Sequence, residues 1–444
     1  MNLVYKVSDR PKFGQLIVFA LQQLLAILAA TIAVPSIVGN GMSQSAALFG
    51  AGIGTIVYLL FTKFKSPVFL GSSFAFLGSM FAAFAGAVSA EAGYAGLVIG
   101  AVFAGLVYVV IAIIVKIAGV KWISKLMPPV VIGPTVAIIG LSLAGNAIGN
   151  SFGFGSPEAS YTMSTSLWVN LVCALVTLLT VIFVSVKGKK MMKLIPFIIG
   201  IVAGYLVALV FTLIGRSTGN DSLKILDFSA FEAMKWVPEF TFTKAFEGFK
   251  AIDAKYVATI AVAYIPVAFV VFAEHIADHK NLSSIIDKDL LEDPGLHRTL
   301  LGDGIGSMVG AFFGGCPNTT YGESVGCVAI TGNASVITIL ATAVIAMLAS
   351  FFGPFVTFLS TIPTCVMGGV CITLYGFIAV SGLKMLQPVD LNDNRNLFTA
   401  SVILIAGIGG MTMNIGSVTL TEIACALILG VIVNLLFNRP AKKA

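Results

Sequence analysis

Charge is scarce in this sequence. Of its 444 residues only 10% are Asp, Glu, Lys or Arg, where soluble chains average about 25%. A string of soluble domains, which the length alone would permit, is excluded. So is a soluble enzyme on one anchor, because no long polar stretch exists to be anchored. Histidine is scarcer still, with three residues, and Glu274-His275-x-x-x-His279 is not a zincin order, so no metal is expected. The six cysteines (Cys173, Cys316, Cys327, Cys365, Cys371 and Cys425) all lie in apolar stretches without metal-type pairing, and no disulfide framework is expected. The basic residues sit in short loops, not in one patch interleaved with aromatics, so nucleic-acid binding has no support. No P-loop, GxSxG or GxGxxG stands in a strand–helix context, and the chain is not expected to be an enzyme. The polar start, Met1 to Gln15, lacks the order of a cleaved signal peptide, so the first apolar span is expected to direct its own insertion.

What the chain has instead is apolar length. Hydrophobic residues make up 58% of it, and the mean hydropathy is +1.00. A bilayer core takes about 20 apolar residues per helix. On that measure the spans fall at 14–35, 45–62, 66–83, 94–116, 128–148, 166–186, 194–215, 256–277, 299–315, 318–331, 334–352, 362–383, 397–415 and 419–437. The reading is an all-α polytopic membrane protein of 14 transmembrane segments. Basic residues prefer cytoplasmic loops. With both termini inside, 20 of the 26 basic residues fall in inner loops, and the other six (Arg216, Lys224, Lys235, Lys244, Lys250 and Lys255) share one long loop, 216–255. That loop divides the spans seven and seven. Because seven is odd, two halves of common ancestry must be inverted relative to each other, an arrangement frequent in transporters.

Two spans are poor helices. The third reads Ser66-Pro67-Val68-Phe69-Leu70-Gly71-Ser72-Ser73-Phe74-Ala75-Phe76. The tenth is reached through Gly314-Gly315-Cys316-Pro317 and continues Asn318-Thr319-Thr320-Tyr321-Gly322-Glu323. Their Gly, Pro, Ser, Thr and aromatic content suits extended backbone. Unwound backbone survives at membrane depth only when buried in protein or lining a cavity. Paired interruptions at matching places in two halves point to a transport site.

Charges inside the spans cost at least about 2.5–3.5 kcal/mol each, so the few present are informative. Glu274 and Asp278 stand four residues apart on one helix face. Two carboxylates on one low-dielectric face tend to share a proton, which makes them candidate proton carriers; the alternative for Asp278 is solvation at the interface beside Lys280. Glu323 lies in the broken tenth segment, where a carboxylate on unwound backbone can accept N–H groups of a small planar ligand. Asp303 either stabilises the core through a neighbouring group or stands near the cation path.

These residues resemble a known family. The runs Ala273-Glu274-His275-Ile276, Lys288-Asp289-Leu290-Leu291-Glu292-Asp293-Pro294-Gly295-Leu296-His297-Arg298 and Pro317-Asn318-Thr319-Thr320-Tyr321-Gly322-Glu323 are similar to those of the nucleobase–ascorbate transporters, and most to the family's uracil-carrying bacterial members. Gly71-Ser72-Ser73-Phe74-Ala75-Phe76 and Met413-Asn414-Ile415-Gly416 extend the resemblance along essentially the whole chain. It implies two inverted seven-segment repeats with short β-strands in segments 3 and 10. Residues 1–127 and 256–353 would form a core domain, and residues 128–255 and 354–444 a gate domain. It implies that Glu274 and Glu323 bind the ring, that Phe74 and Gly322 contribute backbone contacts, and that Tyr321 lies in the same strand. Asp278 or Glu323 would carry the coupled proton, with Asp303 and Asn318 in support.

The expected function is therefore proton-coupled import of uracil across the cytoplasmic membrane by alternating access. The proton is the coupling ion and no cofactor is expected. Membrane lipid surrounds the chain, and homodimerisation through the gate is implied by the resemblance alone. Two departures stand out. Where uracil-type members place His four residues after the first Glu, this chain has Asp278, as purine-type members can. Where the first span often carries Gln-His, it has Gln22-Gln23. The rival readings are a xanthine or urate symporter of the same family and an anion carrier of the related sulfate-carrier fold. The second would favour a neutral or basic site, whereas two acids face the ligand here.

Overall fold

Long runs of Leu, Ile, Val, Phe and Ala leave the backbone no polar partner but itself, so in lipid such runs must be helical. The computed structural model describes residues 3–119, 122, 128–154, 157–189, 192–232, 234–415 and 418–437. Lys121, Lys125, Lys190, Gly416, Arg439, Lys442 and Lys443 lie outside the described residues. The chain is mostly helical. In the first half the helices are α1 (Phe13–Val38), α2 (Gln44–Phe61), α3 (Leu77–Ala85), α4 (Ala90–Ala118), α5 (Pro129–Ser142), α6 (Ala144–Ser151), α7 (Thr165–Lys187) and α8 (Pro196–Thr218). After the short α9 (Thr241–Gly248) come α10 (Ala254–Ile286), α11 (Leu296–Gly314), α12 (Gly322–Thr331), α13 (Val336–Ala349), α14 (Gly353–Ser360), α15 (Thr364–Lys384), α16 (Asn394–Ile408) and α17 (Glu422–Phe437). Among the described residues eight helices are long and apolar enough to cross a membrane, with α5 and α6 counted as one.

The third and tenth spans contain strands, β1 (Leu70–Ser72) and β2 (Asn318–Thr320), which pair antiparallel with Leu70 opposite Thr320 and Ser72 opposite Asn318. Each interruption has a local cause. Gly315 leaves α11 with φ +76°, a conformation that favours glycine. Pro317 then cannot continue a helix, and the chain runs extended through Asn318-Thr319-Thr320 before Gly322 opens α12.

Elsewhere hydropathy windows overlook breaks that the chain makes. The eighth span was expected to end at 277, but α10 continues to Ile286 and stops at Asp287 in the left-handed region, which places Asp278 and His279 well inside a helix. The span at 334–352 turns by 82° between α13 and α14, where Gly353-Pro354 restarts the chain. The span at 397–415 leaves its helix at Ile408. Gly410 (φ +67°) follows, and then β3 (Met413–Ile415) pairs antiparallel with β4 (Val418–Leu420).

Packing is close where glycines repeat every fourth residue. Gly50 and Gly54 of α2 face Gly306, Gly310 and Gly314 of α11, and Gly302 packs on Tyr58. A Cβ added at Gly54 would lie 2.7 Å from the Gly306 carbonyl oxygen, and one at Gly50 would overlap the Gly310 carbonyl. Small residues at such spacing let membrane helices approach backbone to backbone. On the long-loop side, Phe242 stacks on Phe312 with ring centroids 5.0 Å apart, and Lys244 sits 4.7 Å over the Tyr94 ring. These contacts fasten α9 to α11 and α4. Gly50→Ala is expected to destabilise the protein by about 1–3 kcal/mol through overpacking, read as a lower unfolding midpoint in detergent. Gly78→Ala, whose added Cβ meets nothing within 4 Å, is the control and should not lower the midpoint; equal midpoints for the two variants would contradict the packing account.

Candidate functional site

The β1–β2 pairing brings two helix starts side by side. Each helix leaves its first backbone N–H groups without an intrahelical partner, and these carry the positive end of the helix dipole. The turns Ser73-Phe74-Ala75 and Tyr321-Gly322-Glu323 form one wall of a cavity of about 370 Å³. Ligand pockets begin at about this size. Glu274, Ala277 and Asp278 of α10 continue the polar wall, together with Thr319 and Thr320 of β2. The opposite wall is largely apolar: Val136 and Ile139 from α5, Phe197 from α8, and Leu374, Phe377 and Ile378 from α15, with Ser381 and Met385 at one end.

The structure brings six of the expected residues to this cavity: Phe74, Glu274, Asp278, Tyr321, Gly322 and Glu323. Asp278 lines the cavity, and its Oδ2 accepts a hydrogen bond of 2.8 Å from Thr320 Oγ1. Tyr321 is buried, and its hydroxyl donates to the Ser72 carbonyl at 2.7 Å. Its ring covers Gly71, where any Cβ would overlap it. Phe74 meets Tyr375 of α15 edge-on, with centroids 6.0 Å apart. Gly322 is exposed to the cavity, with only Asp278 Oδ1, 3.9 Å from an added Cβ, nearby.

Asp303 and Asn318 stand behind the strands rather than in the cavity. Asp303 Oδ2 lies 2.6 Å from His275 Nδ1, and Thr299 Oγ1 lies 3.0 Å from His275 Nε2. His275 sits next to Glu274 in sequence, about 100° around the helix, so this buried pair sets the rotation of α10 from the side away from the cavity. His279 Nδ1 donates to the His275 carbonyl at 2.7 Å, and the Tyr58 hydroxyl lies 2.7 Å from its Nε2. Asn318 Nδ2 donates to the Gly50 carbonyl at 2.9 Å, tying β2 to α2.

Sequence reasoning missed Thr320, the partner of Asp278, and Ser324. Ser324 Oγ accepts from Gln23 Nε2 at 2.5 Å and from the Phe69 backbone N–H at 3.0 Å. Gln23, where the resemblance leads one to expect His, thus joins α1 to the starts of β1 and α12. The apolar wall was also missed, because its residues carry no signal that distinguishes them from other span residues.

The sequence model of the Permease family matches residues 14–416. The uracil permease of Bacillus caldolyticus is 42% identical over 443 residues, covering 98% of this chain and 95% of its own. The uracil permease of Bacillus subtilis is 39% identical, covering 98% and 96%. Among solved structures, the transmembrane domain of the cyanobacterial bicarbonate transporter BicA superposes with a TM-score of 0.61 at 16% identity, covering 96% of this chain and 99% of that one. This likeness is one of fold.

Removing Ser324 leaves Gln23 Nε2 and the Phe69 N–H without this acceptor, at about 1–3 kcal/mol, and removing Gln23 takes one of the two donors from Ser324 Oγ, at about 0.5–1.5 kcal/mol. Gln23→Leu and Ser324→Ala are each expected to lower the unfolding midpoint, and the double variant to lose less than the sum of the two. Strict additivity would show that the bond carries no stability.

Proposed function

This chain belongs to the Permease family, and from that membership we propose that it imports uracil together with a proton. It is a multi-pass membrane transporter, not an enzyme. The observation that carries the ligand reading is the cavity itself. It has a hydrogen-bonding wall bearing three carboxylates and two helix starts, and faces it with a wall of apolar side chains. Uracil has that shape: a flat ring with two N–H donors and two carbonyl acceptors on its edge. In the proposed pose Glu274 and Glu323 accept the ring N–H groups. Backbone N–H groups at Phe74 and Gly322 donate to a carbonyl, and Phe74 and Tyr321 flank the ring.

The same reading orders the chain into fourteen segments in two inverted repeats. Residues 1–127 and 256–353 form a core and residues 128–255 and 354–444 a gate. In support, the polar wall comes wholly from the first group and the apolar wall wholly from the second. The strands are the third elements of the two halves and pair antiparallel with each other. Both termini lie on the cytoplasmic side of the cytoplasmic membrane. The cavity's Ser381 and Met385 flank Lys384, among the basic loops of that side.

Loading uracil places a ligand among Glu274, Asp278 and Glu323. Full ionisation of three carboxylates around one low-dielectric cavity is unfavourable, and carrying net charge through the membrane is costly. A proton on Asp278 or Glu323 offsets both, so uracil and proton move together while core moves against gate. Protons, lipid and a homodimer through the gate are the partners in this reading; no cofactor takes part. A purine symporter is the second reading, favoured by Asp278 in the position of the uracil-type His.

Proteoliposomes given an inward proton gradient are expected to take up labelled uracil, and excess unlabelled uracil should block uptake where xanthine and urate do not. Stronger block by xanthine would establish the purine reading instead. Glu274→Gln and Glu323→Gln are each expected to abolish uptake, and normal transport by both would sink the site assignment.

A further inference from the structure

A second, much smaller cavity lies behind the strands. Its volume is about 10 Å³, the size that holds one water molecule. Tyr108 of α4, Asp303 and Ser307 of α11, and Asn318 and Thr319 of β2 line it. Two polar atoms of these lining residues, the Tyr108 hydroxyl and Asp303 Oδ1, are buried with no hydrogen-bond partner among the described residues. Tyr108 is 4% exposed and Asp303 1%. Buried polar groups without partners are rare and costly.

The surrounding bonds fix what such an occupant must be. A proton lies between His275 Nδ1 and Asp303 Oδ2, 2.6 Å apart, while Thr299 Oγ1 stands within reach of both His275 Nε2 and the Leu296 carbonyl and so suits either tautomer of the ring. Whichever side of the 2.6 Å bond holds the proton, Oδ1 has only lone pairs and needs a donor. The Tyr108 hydroxyl hydrogen needs an acceptor, which a cation cannot be. We propose that this cavity is a binding site for a single buried water, which accepts from Tyr108, donates to Asp303 Oδ1 and completes its bonding on the Asn318–Thr319 wall. Tyr108 thereby becomes a positioning residue for transport. It holds Asp303, which holds His275, which sets the rotation of α10 and so the aim of Glu274 and Asp278.

Radiolytic footprinting of the detergent-solubilised protein tests the site directly, because hydroxyl radicals reach a buried ring only from bound water. Tyr108 is expected to label much faster than Tyr58, which is also buried, lies outside this cavity and has its hydroxyl bonded to Ser66. Ala104→Val, or Ser307→Thr should the first not fold, fills the space and should bring Tyr108 down to the Tyr58 rate. Tyr108 labelling no faster than Tyr58 would overturn the proposal. So would labelling lost when sodium chloride replaces choline chloride, which would make the occupant a cation. Tyr108→Phe keeps the ring and should raise KM for uracil about fivefold, the equivalent of one lost hydrogen bond, with kcat changed less than twofold. An unchanged KM would refute the positioning role. This last arm rests on the uracil reading; absence of uptake by the unmodified protein would overturn that reading while the labelling result stood.

Discussion

The structure depends on one hydrogen-bonding obligation. Backbone that leaves the helix inside a membrane must find partners within the protein, and here two stretches leave it together. β1 and β2 satisfy each other through three antiparallel register pairs. Side chains mend what the strands leave over. Thr55 Oγ1 accepts from the Leu70 N–H at 2.9 Å, Ser324 Oγ from the Phe69 N–H at 3.0 Å, and the Tyr321 hydroxyl donates to the Ser72 carbonyl. Among the described residues neither strand pairs with a further strand, and because the two pair with each other the half-helices that follow start side by side. The convergence of helix starts is thus a by-product of backbone satisfaction, and the cavity is built where they meet.

The obligation reaches outward through packing. For Asn318 to donate to the Gly50 carbonyl, α2 and the end of α11 must come within backbone contact of each other, and the glycines at every fourth position allow it. The close approach leaves no room for apolar side chains between α2 and α11, and the polar groups nearby fall into bonded chains. Asp303, His275 and Thr299 form one, and His279, Tyr58 and Ser66 another, with the Tyr58 hydroxyl 2.6 Å from Ser66 Oγ. Buried polar networks of this kind specify one arrangement when fully bonded. Here they fix the rotation of α10, the helix that carries both Glu274 and Asp278.

Much of this was legible in the sequence, for identifiable reasons. Pro67 with Gly71, and Gly315 with Pro317, forbid continuous helix in otherwise apolar runs, so the two strands announce themselves. Glu274, Asp278 and Glu323 stand out because charge at membrane depth is expensive and therefore rare. Thr320 and Ser324 were not legible, since hydroxyl residues are common in membrane helices and their partners lie 42 and 301 residues away. The bend at Gly353 and the β3–β4 hairpin were hidden for another reason: a hydropathy window sums composition and is blind to where φ turns positive, as it does at Gly410. The continuation of α10 past 277 was missed because Lys280 and Asn281 read as the end of an apolar run, though nothing in them ends a helix.

The two walls of the cavity differ in what they ask of a mutation. The polar atoms that can read a ring edge sit almost wholly on the two helix starts, the strands and α10, while the facing wall offers chiefly shape. Under the proposed reading, recognition and motion are therefore inherited as separate traits. Substitutions among residues 319–323 or at 274 and 278 change which base is accepted without touching the hinges. Substitutions at Val136, Phe197 or Phe377 retune how the halves slide without changing the chemical vocabulary of the site. A lineage built on this plan has two independent dials, and its members can diversify in cargo while keeping one machine.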